Sequence, residues 1–391
     1  MLSRLMGYCA EVRLLLVTTF VLTLARAITL PYLVVYLSEY FTLDISGTGL
    51  MIGGALIVAS LLSLYGGYLI DTLRSYTVIV VATLVFAGAF IGAFASRQLV
   101  LFFLCLVLIN LTLAVVDIAA KAGFCALLPV DERSEVFSIK YTLSNVAYAV
   151  GPFIGVALMQ LSNHLPFLVS ALLGLLMCGS YQRWGERTAR ARLDDSATPG
   201  FLSVGRHLLA DRRLVYFTLG GALSAIVFGQ FTAYLSQYLV TTGSAAEANL
   251  TISYLVATNA VTVIALQYVI GRRIGSRQLM PWLMAGMALF LVGLLGFSLA
   301  DSLLVWCLAM LVFTLGEIIV IPAEYMFIDS IAPEHLRGVY YGAQNLSNLG
   351  AALGPVICGF ALAHLVPVAM FHIMMVAVVL AALFYYLGAR R

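Results

Sequence analysis

Long apolar stretches recur along the entire chain, and they limit its fold more than any other feature. Each is close to the roughly 20 residues that a helix needs to cross the hydrocarbon core of a membrane. Only 10% of the 391 residues are Asp, Glu, Lys or Arg. That is too little charge to cover the surface of a soluble domain of this length. The chain is therefore predicted to be an all-α integral membrane protein.

The apolar stretches predict twelve transmembrane helices in two groups of six. The first six spans are predicted at residues 12–38, 46–70, 76–95, 98–128, 135–160 and 164–184. The second six are predicted at residues 213–240, 248–271, 277–298, 302–330, 336–362 and 366–388. The polar segment between them gives an N-terminal bundle over 1–184, a linker over 185–212 and a C-terminal bundle over 213–391. Apolar and basic residues between 201 and 213 predict a short helix on the membrane surface.

Two sequence repeats relate the halves. The stretch LSNVAYAVGPFIG at 143–155 returns as LSNLGAALGPVIC at 346–358, an offset of 346 − 143 = 203. Tyr36-Leu37-Ser38 returns as Tyr234-Leu235-Ser236, an offset of 234 − 36 = 198. Offsets near half the chain length indicate a duplication. Parallel membrane repeats predict two pseudo-symmetric bundles with a substrate site between them near the midplane.

Basic residues predict the orientation. Apart from Arg97, the Lys and Arg residues outside the middle of the spans fall on one side of the predicted topology. Short loops rich in Lys and Arg remain cytoplasmic. Both termini and the linker are therefore predicted to be cytoplasmic.

This organisation resembles the major facilitator superfamily over essentially the whole chain. Gly151-Pro152-Phe153-Ile154-Gly155 is similar to the GPxxG motif of proton-coupled drug exporters in that superfamily. Residues 67–71, GYLID, resemble the first half of its loop signature, from which Thr72 and Arg74 depart. Asn110 departs from the arginine that many of these exporters carry in the fourth span. Residues 24–32, 316–319 and 323–325 resemble a YdeE-type branch of bacterial exporters.

The resemblance implies a monomeric carrier in the bacterial inner membrane, working by alternating access. Its implied partners are small-molecule substrates, protons and the lipid bilayer. The implied function is export of drugs, toxic metabolites or small peptides in exchange for protons. Import of a nutrient together with protons is the alternative, and the GPxxG motif favours export.

Five charged side chains are predicted to lie at bilayer depth, well inside the spans, namely Arg26, Asp117, Lys121, Glu317 and Glu324. A charge at the bilayer centre costs about 2.5–3.5 kcal/mol on insertion scales. Each of the five is therefore predicted to face a partner, a cavity or water. For Arg26 two roles are open, namely holding a carboxylate substrate and forming a structural ion pair.

Glu317 is the favoured proton carrier, because a carboxyl group in an apolar, intermittently wet cavity can take up a proton near neutral pH. A structural ion pair and a simple substrate contact are the alternatives. Glu324 lies two helical turns further on the same face and is either a second proton site or an inward gate.

Asp117 and Lys121 are four residues apart, so they share a helix face and can pair. The repeat relates Lys121 to Glu324, because 121 + 203 = 324. A salt-bridged cytoplasmic gate and direct proton carriage by Asp117 are both open.

Backbone features complete the predicted gate. Gly151, Pro152 and Gly155 in the fifth span and Gly354 and Pro355 in the eleventh predict either kinked hinges or close helix packing. Asp71, with Arg74 nearby, is predicted at the cytoplasmic mouth. There its carboxylate suits the positive N-terminal end of the eleventh span.

A polar and aromatic cavity wall is also predicted. Alongside Arg26, its candidates are Tyr32, Tyr148, Gln230, Tyr234, Asn259 and Tyr325. Aromatic faces with few hydrogen-bonding groups suit varied, partly apolar substrates. Packing inside the bundle is the alternative role for each tyrosine.

Other classes of function find little support. The sequence has no GxxxxGK[ST], HExxH or GxSxG motif, so nothing favours an enzyme or an ATP-driven pump. Its six cysteines form no CxxC pair, and no metal or cofactor is predicted. The small net charge of +3 does not indicate nucleic acid binding.

Overall fold

The structure, a computed structural model, describes residues 2–162, 164–185, 200–275 and 278–390. Within these ranges all regular secondary structure is helical. Most of the predicted linker, residues 186–199, lies outside the described residues, and so do Arg277 and Arg391.

The helices follow the predicted spans closely. They are α1 (Leu2–Gly7), α2 (Ala10–Tyr40), α3 (Ile45–Thr72), α4 (Ser75–Ala95), α5 (Leu99–Leu127), α6 (Val130–Leu161), α7 (Leu165–Trp184), α8 (Phe201–Ala210), α9 (Arg212–Phe228), α10 (Phe231–Thr242), α11 (Ala245–Gly271), α12 (Leu279–Leu299), α13 (Leu303–Ile331), α14 (Arg337–Gln344), α15 (Asn348–His364) and α16 (Ala369–Ala389). Among the described residues, 11 helical stretches are long and apolar enough to cross a membrane, and there are twelve if the bent pair α9 and α10 is counted as one span. The predicted all-α membrane fold is confirmed.

The seventh span differs from the prediction of one continuous helix over 213–240. It is broken between Phe228 and Phe231, and the two pieces are bent by 43°. Gln230 leaves the helical conformation, with φ −139° and ψ 42°. The Tyr234 hydroxyl donates to the Val227 carbonyl oxygen at 2.7 Å, so a carbonyl near the break keeps a partner inside the bundle.

The eleventh span also departs from one regular helix. A 3-10 turn, Asn345–Ser347, separates α14 from α15. By contrast, Pro152 lies inside α6 and Pro355 inside α15 without ending either helix. Both prolines thus lie within continuous helices, whereas the breaks occur elsewhere, and the kinks predicted at these prolines stay a prediction.

The chain forms two compact units. Unit 1 comprises residues 1–129, 139–201 and 332–345, and unit 2 comprises 130–138, 202–331 and 346–391. Each unit comes mainly from one half of the chain and includes a short segment of the other half. Unit 1 includes all of α14, and unit 2 includes the start of α6. The predicted boundary at the linker stays a prediction.

Glycines bring corresponding helices together within each unit. In unit 1, a Cβ on Gly151 would lie 2.9 Å from the Ala27 carbonyl carbon of α2. In unit 2, a Cβ on Gly354 would lie 2.5 Å from the Ile226 carbonyl oxygen of α9. Both values are below ordinary contact distances, so only glycine fits. This is the packing arrangement predicted for small residues at membrane helix interfaces, and the hinge role stays a prediction.

Candidate functional sites

In unit 1, Arg26 of α2 lines a small cavity of about 30 Å³. The other polar residues in its wall are Thr29 and Asn110, and the remaining lining is apolar, including the rings of Phe90 and Phe167. Arg26 is half-buried within a span. Among the described residues of its own unit, nothing forms a hydrogen bond or ion pair with its side chain.

The amide group of Asn110 on α5 has a hydrogen-bond partner for its nitrogen but not for its oxygen among the described residues. Its Nδ2 donates to the Leu106 carbonyl oxygen at 2.8 Å. Its Oδ1 is buried and has no hydrogen-bond partner among the described residues. Sequence reasoning noted only the missing arginine here, because nothing in the sequence reveals an orphaned acceptor.

In unit 2, Glu317 of α13 is buried and accepts a hydrogen bond from Asn259, which is also bonded to Thr314. Asn259 of α11 donates from Nδ2 to Glu317 Oε2 at 2.8 Å and to Thr314 Oγ1 at 3.1 Å. Thr314 in turn donates to the Met310 carbonyl oxygen at 2.7 Å. Asn259, predicted as a cavity wall residue, thus belongs to the same cluster as the predicted proton carrier.

Glu324 lies further along α13 and is also buried. It accepts a hydrogen bond from the hydroxyl of Tyr385 on α16. The Tyr385 ring packs against Phe217 at 4.7 Å between centroids. Sequence reasoning missed Tyr385, since a tyrosine in an apolar helix is usually a packing residue and its partner is 61 residues away.

Asp117 of α5 lies between two lysines in unit 1. Lys121 Nζ is 2.8 Å from Asp117 Oδ2, as the i,i+4 spacing predicts. Lys140 of α6 forms a second ion pair with Asp117. Lys121 also donates to Gln344 Oε1 of α14 at 3.4 Å. Lys140 was counted only among the basic residues that set orientation, yet it is buried.

Asp71, at the end of α3, makes the contact predicted for it. Its Oδ1 accepts from the Gly338 amide at 2.7 Å and its Oδ2 from the Val339 amide at 2.8 Å. A Cβ on Gly67 would lie 2.8 Å from the Gly338 carbonyl carbon, so the missing side chains allow this approach. Arg74 is exposed, and its side chain forms no hydrogen bond or ion pair with this site in the described part of unit 1.

The remaining wall candidates fall in different surroundings. Tyr32 is 2% exposed, and its ring packs 5.3 Å from both Tyr36 and Phe167. Tyr234 is fully buried, with its hydroxyl bonded near the break in the seventh span. Tyr148 is 44% exposed, and Tyr325 is half-buried with its ring 5.5 Å from that of Phe137. Gln230 forms the break itself.

Two six-span halves with buried ionisable groups inside their helices are the features of a multi-pass membrane transporter. The family model for the Major Facilitator Superfamily matches residues 15–355, and the chain belongs to that superfamily. It is accordingly a transporter and not an enzyme.

Several relatives cover most of the chain. The uncharacterized MFS-type transporter YdeE of Escherichia coli is 33% identical over 377 residues, 96% of this chain and 95% of the relative. The multidrug resistance protein MdtH of Cronobacter sakazakii is 28% identical over 84% of this chain and 81% of its own length. A Na(+), Li(+), K(+)/H(+) antiporter of Planococcus maritimus is 26% identical over 87% of each chain.

Solved structures share the fold. The MFS transporter FucP in its outward conformation matches with a TM-score of 0.76 at 16% identity, covering 97% of this chain and 99% of that one. At this identity the likeness establishes the fold alone.

Proposed function

We propose that this protein exports small molecules across the bacterial inner membrane in exchange for protons, by alternating access. The observation that carries the proposal is the buried carboxyl group of Glu317 inside a membrane span, bonded to the neutral Asn259 amide. A carboxyl group can take up and release a proton. Its neutral form avoids the cost of burying a charge, while an amide can bond to either form.

Glu317 is the leading proton carrier in this proposal. Glu324, bonded to Tyr385, is a second proton site or an inward gate. Asp117 forms ion pairs with two lysines. Because these cations stabilise the ionised carboxylate, the arrangement suits a gate better than a proton carrier. Both termini are assigned to the cytoplasm, and the working unit is a monomer.

The direction of transport is supported by the GPxxG stretch around Pro152 and by the names of two relatives. A multidrug resistance protein and a cation/proton antiporter are both related to this chain over more than four fifths of its length. Exchange of protons for exported compounds agrees with both names.

The test uses inside-out vesicles that carry the purified chain and an imposed pH gradient, followed with a pH-sensitive dye. Peptides, sugars and cationic or anionic drugs are added in turn. A transported compound is expected to discharge the gradient in the wild type and not in Glu317→Gln. The control is Glu39→Gln, which removes a carboxylate from an exposed position, and vesicles without the chain set the baseline.

Each outcome separates the alternatives. Discharge that persists in Glu317→Gln would move the proton role to Glu324 or Asp117, which Glu324→Gln and Asp117→Asn then distinguish. Proton-driven accumulation of a compound in whole cells would replace export with the importer alternative.

A further inference from the structure

The cavity around Arg26 lacks the negative charge that its guanidinium group requires. An arginine inside a membrane span is costly unless it has a partner, water or a lipid headgroup. Within unit 1 the described residues supply no hydrogen bond or ion pair to it, although it lines a mostly apolar cavity. A guanidinium presents five N–H donors that match a carboxylate in a two-bond arrangement. An anionic ligand group is therefore the chemistry that this wall recognises.

The side chain of Asn110, the second polar group in the cavity wall, requires a hydrogen-bond donor. Asn110 Oδ1 is a buried acceptor for which the described residues supply no donor. Its orientation is fixed, because Nδ2 bonds to the Leu106 carbonyl oxygen at 2.8 Å. The flipped amide would place two acceptors against each other. Thr29 cannot supply the missing donor, since its hydroxyl hydrogen goes to the Arg26 carbonyl oxygen at 2.8 Å.

We infer that this cavity binds an organic anion that carries a hydrogen-bond donor beside its anionic group. The anionic group bonds to Arg26, and the neighbouring donor bonds to Asn110 Oδ1. The inference rests on the proposed function in that it names the substrate class of the proposed carrier.

The apolar lining specifies the rest of the ligand. The rings of Phe90 and Phe167 share the cavity wall with Arg26 and Asn110. A volume of about 30 Å³ accepts a polar head group and not a whole molecule. The body of the ligand must therefore extend from the cavity, and an aromatic body suits these rings. An aromatic 2-hydroxy acid has all three features.

The test is direct binding to the purified full-length protein in detergent, with radiolabelled mandelate as the probe. Two analogues each lack one feature. Phenylacetate lacks the hydroxyl donor, and methyl mandelate lacks the charge. The wild type is expected to bind mandelate about tenfold more tightly than phenylacetate, which corresponds to about 1.4 kcal/mol, and to bind the methyl ester more weakly still.

Variants assign each feature to its residue. Arg26→Gln is expected to abolish mandelate binding, and Arg26→Lys to weaken it about tenfold, because a lysine keeps the charge and loses the two-bond geometry. Asn110→Leu is expected to bind mandelate and phenylacetate equally. Arg13→Gln on the same helix is the control for Arg26. Asn145→Leu is the control for Asn110, since Asn145 Nδ2 makes the same local bond, to the Tyr141 carbonyl oxygen at 3.0 Å.

Four results would overturn the inference. They are unchanged mandelate binding in Arg26→Gln, a hydroxyl preference retained in Asn110→Leu, and wild-type protein that binds the ester as well as the acid or binds none of the three. The role of Asn110 is tested by the ratio of mandelate affinity to phenylacetate affinity, measured within the wild type and within Asn110→Leu. This ratio stays informative even if Arg26→Gln folds poorly. Binding does not require proton exchange. If mandelate binds but no compound discharges the gradient in the vesicle assay, the result counts against the proposed function alone. If a compound discharges the gradient but mandelate does not bind, the result counts against this inference alone.

Discussion

The starts of α6 and α14 are repeat counterparts, and they are held by different chemistry. Pro129 and Arg133 return as Pro333 and Arg337, an offset of 337 − 133 = 204. In unit 1, Asp71 receives two backbone N–H bonds from the first turn of α14. In unit 2, Arg133 near the start of α6 pairs with Asp329 at the end of α13 at 2.6 Å.

The difference follows from the acidic residues in each first turn. The first turn of α6 contains Asp131 and Glu132, whereas that of α14 contains no acidic residue. A helix N-terminus is stabilised by nearby negative charge. The start of α6 provides this charge itself, while α14 receives it from Asp71 of α3. A duplicated position can thus keep its role while one copy uses side chains and the other uses the backbone.

The largest expected effect is at the ion pair of α6. Both side chains are mostly buried, with 12% of Arg133 and 4% of Asp329 exposed. Removing one partner of a buried pair costs about 3–5 kcal/mol, so Asp329→Asn should lower the melting temperature of the purified protein and its transport rate. Exchanging the two charges in one double variant should restore part of the loss.

The matched control for this pair is Glu334→Gln. Glu334 lies 3.9 Å from Arg337, the counterpart of Arg133, and 90% of its side chain is exposed. This change should alter stability by less than about 1 kcal/mol. Equal losses from Asp329→Asn and Glu334→Gln would contradict the contrast between the two starts.

The close approach of α3 and α14 predicts the next effect. An alanine at Gly67 would press against the backbone of Gly338, and overpacking of this kind costs up to about 3 kcal/mol. Gly67→Ala should therefore lower the melting temperature. Gly53→Ala in the same helix has nothing within 4 Å of the added atom, so it should be neutral or slightly stabilising. The opposite order of the two melting temperatures would rule out backbone contact at Gly67.

The Asp71 contact itself should show a somewhat smaller effect. In Asp71→Asn a single side-chain oxygen replaces two, so one of the Gly338 and Val339 amides loses its acceptor. One buried unsatisfied amide costs about 2 kcal/mol. The control is Asp44→Asn, because the exposed Asp44 caps the other end of α3 through the Gly47 amide at 2.8 Å, and asparagine caps a helix equally well. If Asp71→Asn and Asp44→Asn lower the melting temperature equally, burial of Asp71 does not increase the contribution of its contact to stability.

The fold and the Asp71 contact were predictable because each rests on a local signal. Apolar length gives the spans, the repeat gives the two halves, and a carboxylate at the end of one helix suits the N-terminus of another. The pairing of Asp117 with Lys121 follows from spacing in the same way.

Other contacts depend on how each helix is rotated about its axis. The transmembrane helices are apolar on nearly every face, so the sequence does not reveal that Tyr385 meets Glu324, that Lys140 reaches Asp117 or that Asn110 Oδ1 lacks a donor. The break at Gln230 has no proline to indicate it. These features follow only from packing between distant segments.

The smallest expected effect is at the second contact of the α6 start. The Tyr268 hydroxyl of α11 donates to Glu135 Oε1 at 2.7 Å, and Tyr268 is only half-buried. Tyr268→Phe removes this bond and leaves the ring, so the expected loss of stability is about 1 kcal/mol. Because the Arg133–Asp329 pair and the Tyr268–Glu135 bond hold the same segment, each can partly replace the other, so adding Tyr268→Phe to Asp329→Asn should cost more than Tyr268→Phe alone. Melting temperatures of the single and double variants measure this coupling, and strictly additive losses would mean that the two contacts do not hold the α6 start together.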